Sequence, residues 1–122
     1  MIAILFEEED AETFADAIGA ADRLAIAAPT LVETSMVAEG RARPGMREKL
    51  DALLDLLAPE IVPFTAQHAA IAREAWRTYG KGNHRASLNL GDCFAYALAK
   101  ARDEPLLYKG NDFAQTDVRP AI

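Results

Sequence analysis

Three acidic residues occupy positions from which an α/β fold could bring them to one edge of its sheet: Glu33, Asp92 and Asp112. Glu33 is predicted in the first turn of a helix after a strand at Ile26, Asp92 at the start of a later helix, and Asp112 after a strand that includes Tyr108. Clustered carboxylates repel one another unless a hard cation neutralises them, and oxygen ligands suit Mg²⁺ or Mn²⁺. Such ions activate water and stabilise charge that develops on a phosphodiester. The three acids are therefore candidate ligands for metal-assisted hydrolysis.

Each acid alone also has a purely structural explanation. Asp92 is suited to capping a helix, and Glu33 is favoured by the helix dipole in a first turn. Asp112 is suited to an Asx turn after a strand. Residue type and position leave both interpretations open for each of them.

A cationic loop is predicted just before Asp92. The segment from residue 81 to residue 87 contains Lys81, His84 and Arg85 together with Gly82, whose backbone is flexible. Beside a catalytic carboxylate, Lys81 and Arg85 are candidates for contacts with substrate phosphates. The alternative is an ordinary solvated loop.

Four other side chains of chemical interest are assigned structural roles. Trp76 and Tyr79 recur at i and i+3 on one predicted helix and are expected to be packed rather than to stack on bases. His68 lies on an alanine-rich helix, and no catalytic role is expected from it. Cys93 is expected to be a small buried apolar residue.

Length, composition and charge restrict the class of protein. A chain of 122 residues buries about two-thirds of its unfolded surface, which suits one domain spanning residues 1–122. No apolar stretch approaches the roughly 20 residues of a membrane span, and no basic residue precedes the N-terminal apolar run, so a cytoplasmic protein is expected. One Cys excludes an intrachain disulfide, and two His with one Cys exclude a Cys/His zinc cluster. A net charge of −6 disfavours binding of polyanions by overall charge, so any RNA contact must be local.

The first half of the chain alternates helical and strand patterns. An apolar segment at 2–6 is followed by the acidic turn Glu7–Asp10, which favours a helix that buries Phe14 and ends near Gly19. A strand is predicted at 24–28 and a helix from Pro29 to Gly40.

The second half continues the alternation. Met46 and four leucines recur at i, i+4, i+7, i+8 and i+11, which predicts an amphipathic helix that ends before Pro59. A strand at 61–64 precedes a helix capped by Thr65 that buries Trp76, and another helix opens at Gly91–Asp92. Short strands are predicted at 105–108 and 118–122. Strands separated by helices predict an α/β fold with a mostly parallel sheet flanked by helices.

Two segments resemble the PIN-domain family, specifically the VapC-like toxins of bacterial toxin–antitoxin pairs. One is the run Asn89-Leu90-Gly91-Asp92-Cys93-Phe94-Ala95-Tyr96-Ala97-Leu98-Ala99, followed by Lys109-Gly110-Asn111-Asp112-Phe113. The other is Ala28-Pro29-Thr30-Leu31-Val32-Glu33-Thr34, which is similar to the segment that carries the family's helix-borne Glu. The resemblance covers nearly the whole chain and implies a PIN-like three-layer sandwich.

The resemblance implies a ribonuclease that depends on Mg²⁺ or Mn²⁺, cleaves RNA and is inhibited by a small cognate antitoxin. Glu33, Asp92 and Asp112 match the family's acids, while Arg85 and Lys81 are the candidate substrate contacts. Many relatives place their last acid where this chain has Gly110, so Asp117 is an alternative to Asp112. A homodimer is also expected.

The N-terminal segment departs from the family pattern. The family normally opens with a strand ending in Asp, followed by an apolar segment similar to residues 2–6, and no acid precedes Glu7 here. Either the start lies upstream of Met1, or this chain lacks a ligand and a strand. In the second case the alternative is a catalytically impaired module that dimerises or binds an amphipathic helix between the Phe14 helix and the Leu50 helix.

Overall fold

The structure, a computed structural model, describes residues 11–40, 44–108 and 112–121. Within these ranges, helices alternate with two short strands along the chain. The elements are α1 (Ala11–Ala20), β1 (Ala25–Ala27), α2 (Ala28–Gly40), α3 (Met46–Leu57), β2 (Glu60–Val62), α4 (Ala66–Tyr79), α5 (Leu90–Arg102) and a 3₁₀ turn at Phe113–Gln115. The chain divides into two compact units, Met1–Val62 and Pro63–Ile122.

The first unit is built on a parallel pair of strands. β1 pairs with β2 in a register that places Ile26 opposite Ile61 and Ala27 opposite Val62. α2 follows β1 without a connecting residue, and α3 packs against α2 around the buried pair Ala38 and Leu50. The crossover from β1 to β2 through two helices is the connection that parallel strands require.

The second unit is a helix pair with an apolar core. α4 and α5 pack against each other, and buried side chains from the following segments complete the core. Thr65 caps α4 as predicted, because its Oγ1 accepts the backbone N–H of His68 at 3.2 Å while Nδ1 of His68 accepts the N–H of Thr65 at 3.4 Å. The core residues are Ala75, Ala86, Leu88, Cys93, Tyr96, Ala99, Phe113 and Val118.

Several predicted elements differ from the structure. The segments at 105–108 and 118–122 are not strands over their described residues but meet in one parallel bridge, Leu106 to Pro120. Because α2 begins at Ala28, Glu33 lies in its second turn rather than its first. Trp76 is half exposed instead of buried, because only part of the apolar surface of α4 faces the core.

Some predictions fall outside the described residues. They are the apolar segment at 2–6, the acidic turn Glu7–Asp10, the loop positions 41–43, the residues 109–111 of the predicted motif, and Ile122. Among the residues that the structure describes, no helix combines the length and apolar character that a bilayer crossing requires.

Candidate metal centre

The first turn of α5 holds Asp92 in a reciprocal cap with Asn89. The side-chain oxygen of Asn89 accepts the backbone N–H of Asp92 at 2.9 Å, and Oδ2 of Asp92 accepts the backbone N–H of Asn89 at 3.0 Å. Both bonds form the capping box that a polar residue followed three positions later by an acid makes at a helix start. One carboxylate oxygen of Asp92 is thus engaged, and the direction of the carboxylate is set by the helix terminus.

Asp92 and Asp112 interact electrostatically. Partial burial raises the pKa of the Asp92 carboxyl, the hydrogen bond from the Asn89 N–H lowers it in part, and the negative charge of Asp112 raises it further. Asp112 itself is exposed and lies immediately before the 3₁₀ turn. Two acids that repel each other, one of them partly desolvated, supply oxygen donors of the type that a hard divalent cation prefers.

Asp117 has a different environment from Asp112. Its Oδ1 accepts the phenolic O–H of Tyr96 at 2.5 Å, and its Oδ2 accepts Nζ of Lys100 at 2.9 Å. Although partial burial would raise the pKa of Asp117, these bonds outweigh it and lower the pKa below its usual value. Both oxygens of this carboxylate therefore serve to join the C-terminal segment to α5.

Glu33 belongs to the first unit, on the exposed side of α2. Neither unit, over its described residues, contains a group of three or more His, Cys, Asp or Glu side chains that could hold a metal ion. Within the second unit, the negative charge of Asp112 acts on Asp92, and these are two of the three predicted acids. The role of Glu33 as the third ligand stays a prediction.

The loop between α4 and α5 has a defined structure. Lys81 and Leu88 close it, because the N–H of Lys81 donates to the Leu88 carbonyl at 3.0 Å. Inside it, Nδ1 of His84 accepts the N–H of Ala86 at 3.0 Å, and Ala86 and Leu88 are buried. Lys81 and Arg85 are exposed and form no ion pair within the described part of the chain. The cations are therefore displayed by an ordered loop and available to an anion.

Cys93 follows Asp92 but points into the core. Its side chain is buried, and burial together with the negative charge of Asp92 raises the pKa of its thiol. The predicted role as a small apolar residue agrees with this position.

An apolar groove lies within the first unit, between α1 and α3. It has a volume of about 750 Å³, and Ile18, Leu24, Leu53, Leu56 and Leu57 are among the residues that line it. This is the place between the Phe14 helix and the Leu50 helix where the sequence predicts a site for an amphipathic partner.

Parallel strands connected through helices, followed by a helix whose first turn carries a partly buried carboxylate, define a class of fold and site. The family model described as the PIN domain matches residues 1–119 of this chain. The chain therefore belongs to the PIN-domain family, which confirms the predicted α/β fold class.

Curated relatives extend over nearly the whole chain. Ribonuclease VapC30 of Mycobacterium tuberculosis is 47% identical over 119 residues, which are 97% of this chain and 90% of the relative. Ribonuclease VapC of Mycolicibacterium smegmatis is 45% identical, with 97% of this chain and 92% of the relative covered. Ribonuclease VapC28 of M. tuberculosis is 42% identical over 123 residues, with 100% and 92% covered. The resemblance to VapC-like proteins is thereby confirmed.

Proposed function

We propose that this chain is a VapC-like toxin, an endoribonuclease that hydrolyses RNA phosphodiester bonds with the help of a divalent metal ion. Relatives at 42 to 47% identity that bear the name ribonuclease support the reaction class. The observation that carries the proposal is the PIN-domain match over residues 1–119, within which Asp92 lies in the first turn of α5. The negative charge of Asp112, which acts on the partly buried Asp92, supports a functional role for these two acids.

Glu33, Asp92 and Asp112 are the proposed metal ligands and catalytic residues. When bound, Mg²⁺ or Mn²⁺ supplies Lewis acidity, activating water and stabilising charge on the phosphodiester. Asp112 is preferred to Asp117 because both oxygens of Asp117 already accept hydrogen bonds. No side chain of the protein needs to act as a nucleophile.

The protein's own residues would orient the site and the substrate. Asn89 fixes the direction of the Asp92 carboxylate through the reciprocal cap. Lys81 and Arg85, displayed by the ordered loop that precedes Asn89, are the proposed contacts for RNA phosphates. Since the chain carries a net charge of −6, these local cations would have to offset the repulsion between RNA and the rest of the surface.

A cognate antitoxin and a second copy are the proposed protein partners. The apolar groove between α1 and α3 is of the kind that accepts an amphipathic helix, and we assign it to the antitoxin. Exposed Val32 and Met36 on α2 supply apolar surface for a homodimer.

Residues 1–122 are proposed to form a single PIN-like domain, because the family match continues across both units. An enzyme that cleaves cellular RNA would act in the cytoplasm.

An RNA-cleavage assay tests this function. The chain, and a version extended by the upstream genomic codons, are incubated with RNA in Mn²⁺, in Mg²⁺ and in EDTA. Cleavage in either metal but not in EDTA supports the proposal, and cleavage by the extended form alone means that an upstream residue completes the site. If both forms are folded and neither cleaves RNA, the proposal is wrong and a binding module becomes the better description.

A further inference from the structure

A second groove lies within the other unit, between α4 and α5. We call it the Trp76 groove; it has a volume of about 530 Å³. Phe64 and Phe94, whose ring centroids lie 5.0 Å apart, contribute aromatic surface to it. Trp76 and Leu90, which are 50% and 72% exposed, are the large apolar residues that line it and face solvent. Such a surface is apolar and aromatic, yet open.

Trp76 is exposed, and its indole packs over Gly80. A Cβ atom at Gly80 would lie 2.5 Å from Cδ1 of Trp76 and 2.3 Å from its carbonyl oxygen, so the absent side chain of Gly80 leaves the space into which the indole fits. The same carbonyl accepts the N–H of Gly80 at 2.8 Å and Nδ2 of Asn83 at 3.1 Å. The indole therefore lies against the Gly80 backbone on one side, and the rest of its surface is open to a ligand.

Two arginines give the Trp76 groove a positive charge. Arg73 and Arg77 both line it, one helical turn apart on α4. Arg77 forms an exposed ion pair with Glu74 at 3.2 Å, and Arg73 has none within the described part of the chain. Residues 63–91 contain four Lys or Arg and a single acid, Glu74, although the whole chain carries a net charge of −6. Planar guanidinium groups beside an aromatic ring are a combination that suits phosphate and nucleobase together.

The first turn of α5 contributes both to the candidate metal centre and to the Trp76 groove. Leu90 and Cys93 line it, and Asp92 lies between them in the first turn of α5. One helical turn therefore contributes side chains to the groove and a carboxylate to the metal site.

We propose that the Trp76 groove binds an unpaired nucleobase of the RNA substrate, stacked on the Trp76 indole, with a neighbouring phosphate on Arg73. This inference rests on the proposed ribonuclease function and adds a base-binding subsite to it. Stacking on a side chain requires a base that has left its own stack, as bases do in single strands and loops. The groove would thus direct the enzyme to single-stranded RNA and away from duplexes.

The protein contains one tryptophan, so its fluorescence reports on this groove alone. The full chain is titrated in EDTA, which prevents cleavage, with a single-stranded oligoribonucleotide and with the same strand annealed to its complement. The single strand is expected to quench the fluorescence to saturation, and the duplex to bind about tenfold more weakly or worse. Absence of quenching by a single strand that binds would overturn the proposal.

Substitutions provide the second measurement, with binding of a labelled single strand followed by anisotropy in EDTA. Trp76→Leu keeps apolar bulk but loses the stacking surface, and it is expected to weaken binding by about 5- to 100-fold. Trp76→Phe is expected to retain most of the affinity. The matched control is Val37→Ala, which removes an exposed apolar side chain of α2 outside the proposed sites and is expected to bind RNA as the original chain does.

The outcomes separate this inference from the proposed function. Cleavage by the unsubstituted chain together with unchanged RNA affinity in Trp76→Leu would overturn the groove and leave the ribonuclease standing. Unchanged affinity with a dimer converted to a monomer, seen by sedimentation, would assign the groove to contact between copies. Absence of metal-dependent cleavage together with absence of RNA binding would overturn both.

Discussion

Asn89 and Asp92 each satisfy a backbone N–H of the other, at 2.9 and 3.0 Å, at the first turn of α5. The Asp92 carboxylate therefore has two roles. It is the group proposed to bind metal, and it also completes the cap of α5. The cap explains how a partly buried acid is retained beside the negative charge of Asp112. Variants of Asn89 and Asp92 can therefore distinguish an effect on folding stability from an effect on RNA cleavage.

Asp92→Asn is expected to abolish metal-dependent RNA cleavage and to keep the fold. The amide oxygen of Asn can still accept the N–H of Asn89, while the charge that would hold the metal is lost. Cleavage is measured in Mn²⁺ and folding by circular dichroism. Full activity in this variant would refute the proposed site.

The pKa of Asp92 adds a pH dependence to the stability of that variant. A raised pKa means that ionised Asp92 destabilises the folded state above the ordinary carboxyl value of 3.8. Asp92→Asn should therefore be at least as stable as the original chain at pH 7. The difference should disappear at pH values well below 3.8, where Asp92 is protonated in both states, and thermal melts across this range measure it.

Asn89→Ala is expected to lower both stability and activity. Loss of the cap should cost about 1 kcal/mol. Loss of the orienting bond should weaken Mn²⁺ binding or activity by roughly 10- to 100-fold, as for other residues that position a ligand. Asn89→Ser, which can still cap the helix, is the matched control and should recover most of both. Calorimetric titration with Mn²⁺ gives a readout that a purely structural role would leave unchanged.

Asp117→Asn is expected to affect stability and not the chemistry. The lowered pKa of Asp117 means that its ion pair stabilises the fold above 3.8 and that this contribution is lost as the pH falls through the folded-state value. At pH 7 the cost should be about 1 kcal/mol, because the half-exposed carboxylate is screened by solvent. Tyr96→Phe should show a similar cost that does not add fully to that of Asp117→Asn. Cleavage that is lost in a folded Asp117→Asn variant would instead assign Asp117 to the metal site.

Lys81→Gln and Arg85→Gln are expected to weaken RNA binding for all sequences alike. Each lost phosphate contact should reduce the slope of log affinity against log salt by about 1. Binding to the same single strand in EDTA at several salt concentrations measures this slope. Arg47→Gln, which removes a cation of α3 that pairs with Glu39, is the control and should leave the slope unchanged.

Sequence patterns predicted those helix ends and caps that depend on residues close together in the chain. The bounds of α3 follow from its apolar spacing and from Pro59 beyond its end, and the Thr65 cap follows from residue type. The Asn89 cap was missed, although Asn followed three residues later by Asp just before an apolar run is a recognisable signal.

The exposure of side chains and the pairing of strands depend on contacts between distant parts of the chain, so local sequence patterns did not predict them. Trp76 was expected to be packed because it is large and apolar, but exposure depends on which neighbours cover that side of α4. The strand patterns at 105–108 and 118–122 have the right composition, yet the described segments form a single bridge at Leu106. Residue types likewise left Asp112 and Asp117 equivalent, and only the bonds from Tyr96 and Lys100 distinguish them.

The position of Cys93 has a consequence for oxidative stress. Oxidants and alkylating agents attack accessible thiolates, and this thiol is buried with a raised pKa, so it stays protonated and shielded. Peroxide would therefore leave the first turn of α5 chemically unaltered. The helix turn that carries Asp92 would thus keep its thiol in the reduced form under oxidising conditions.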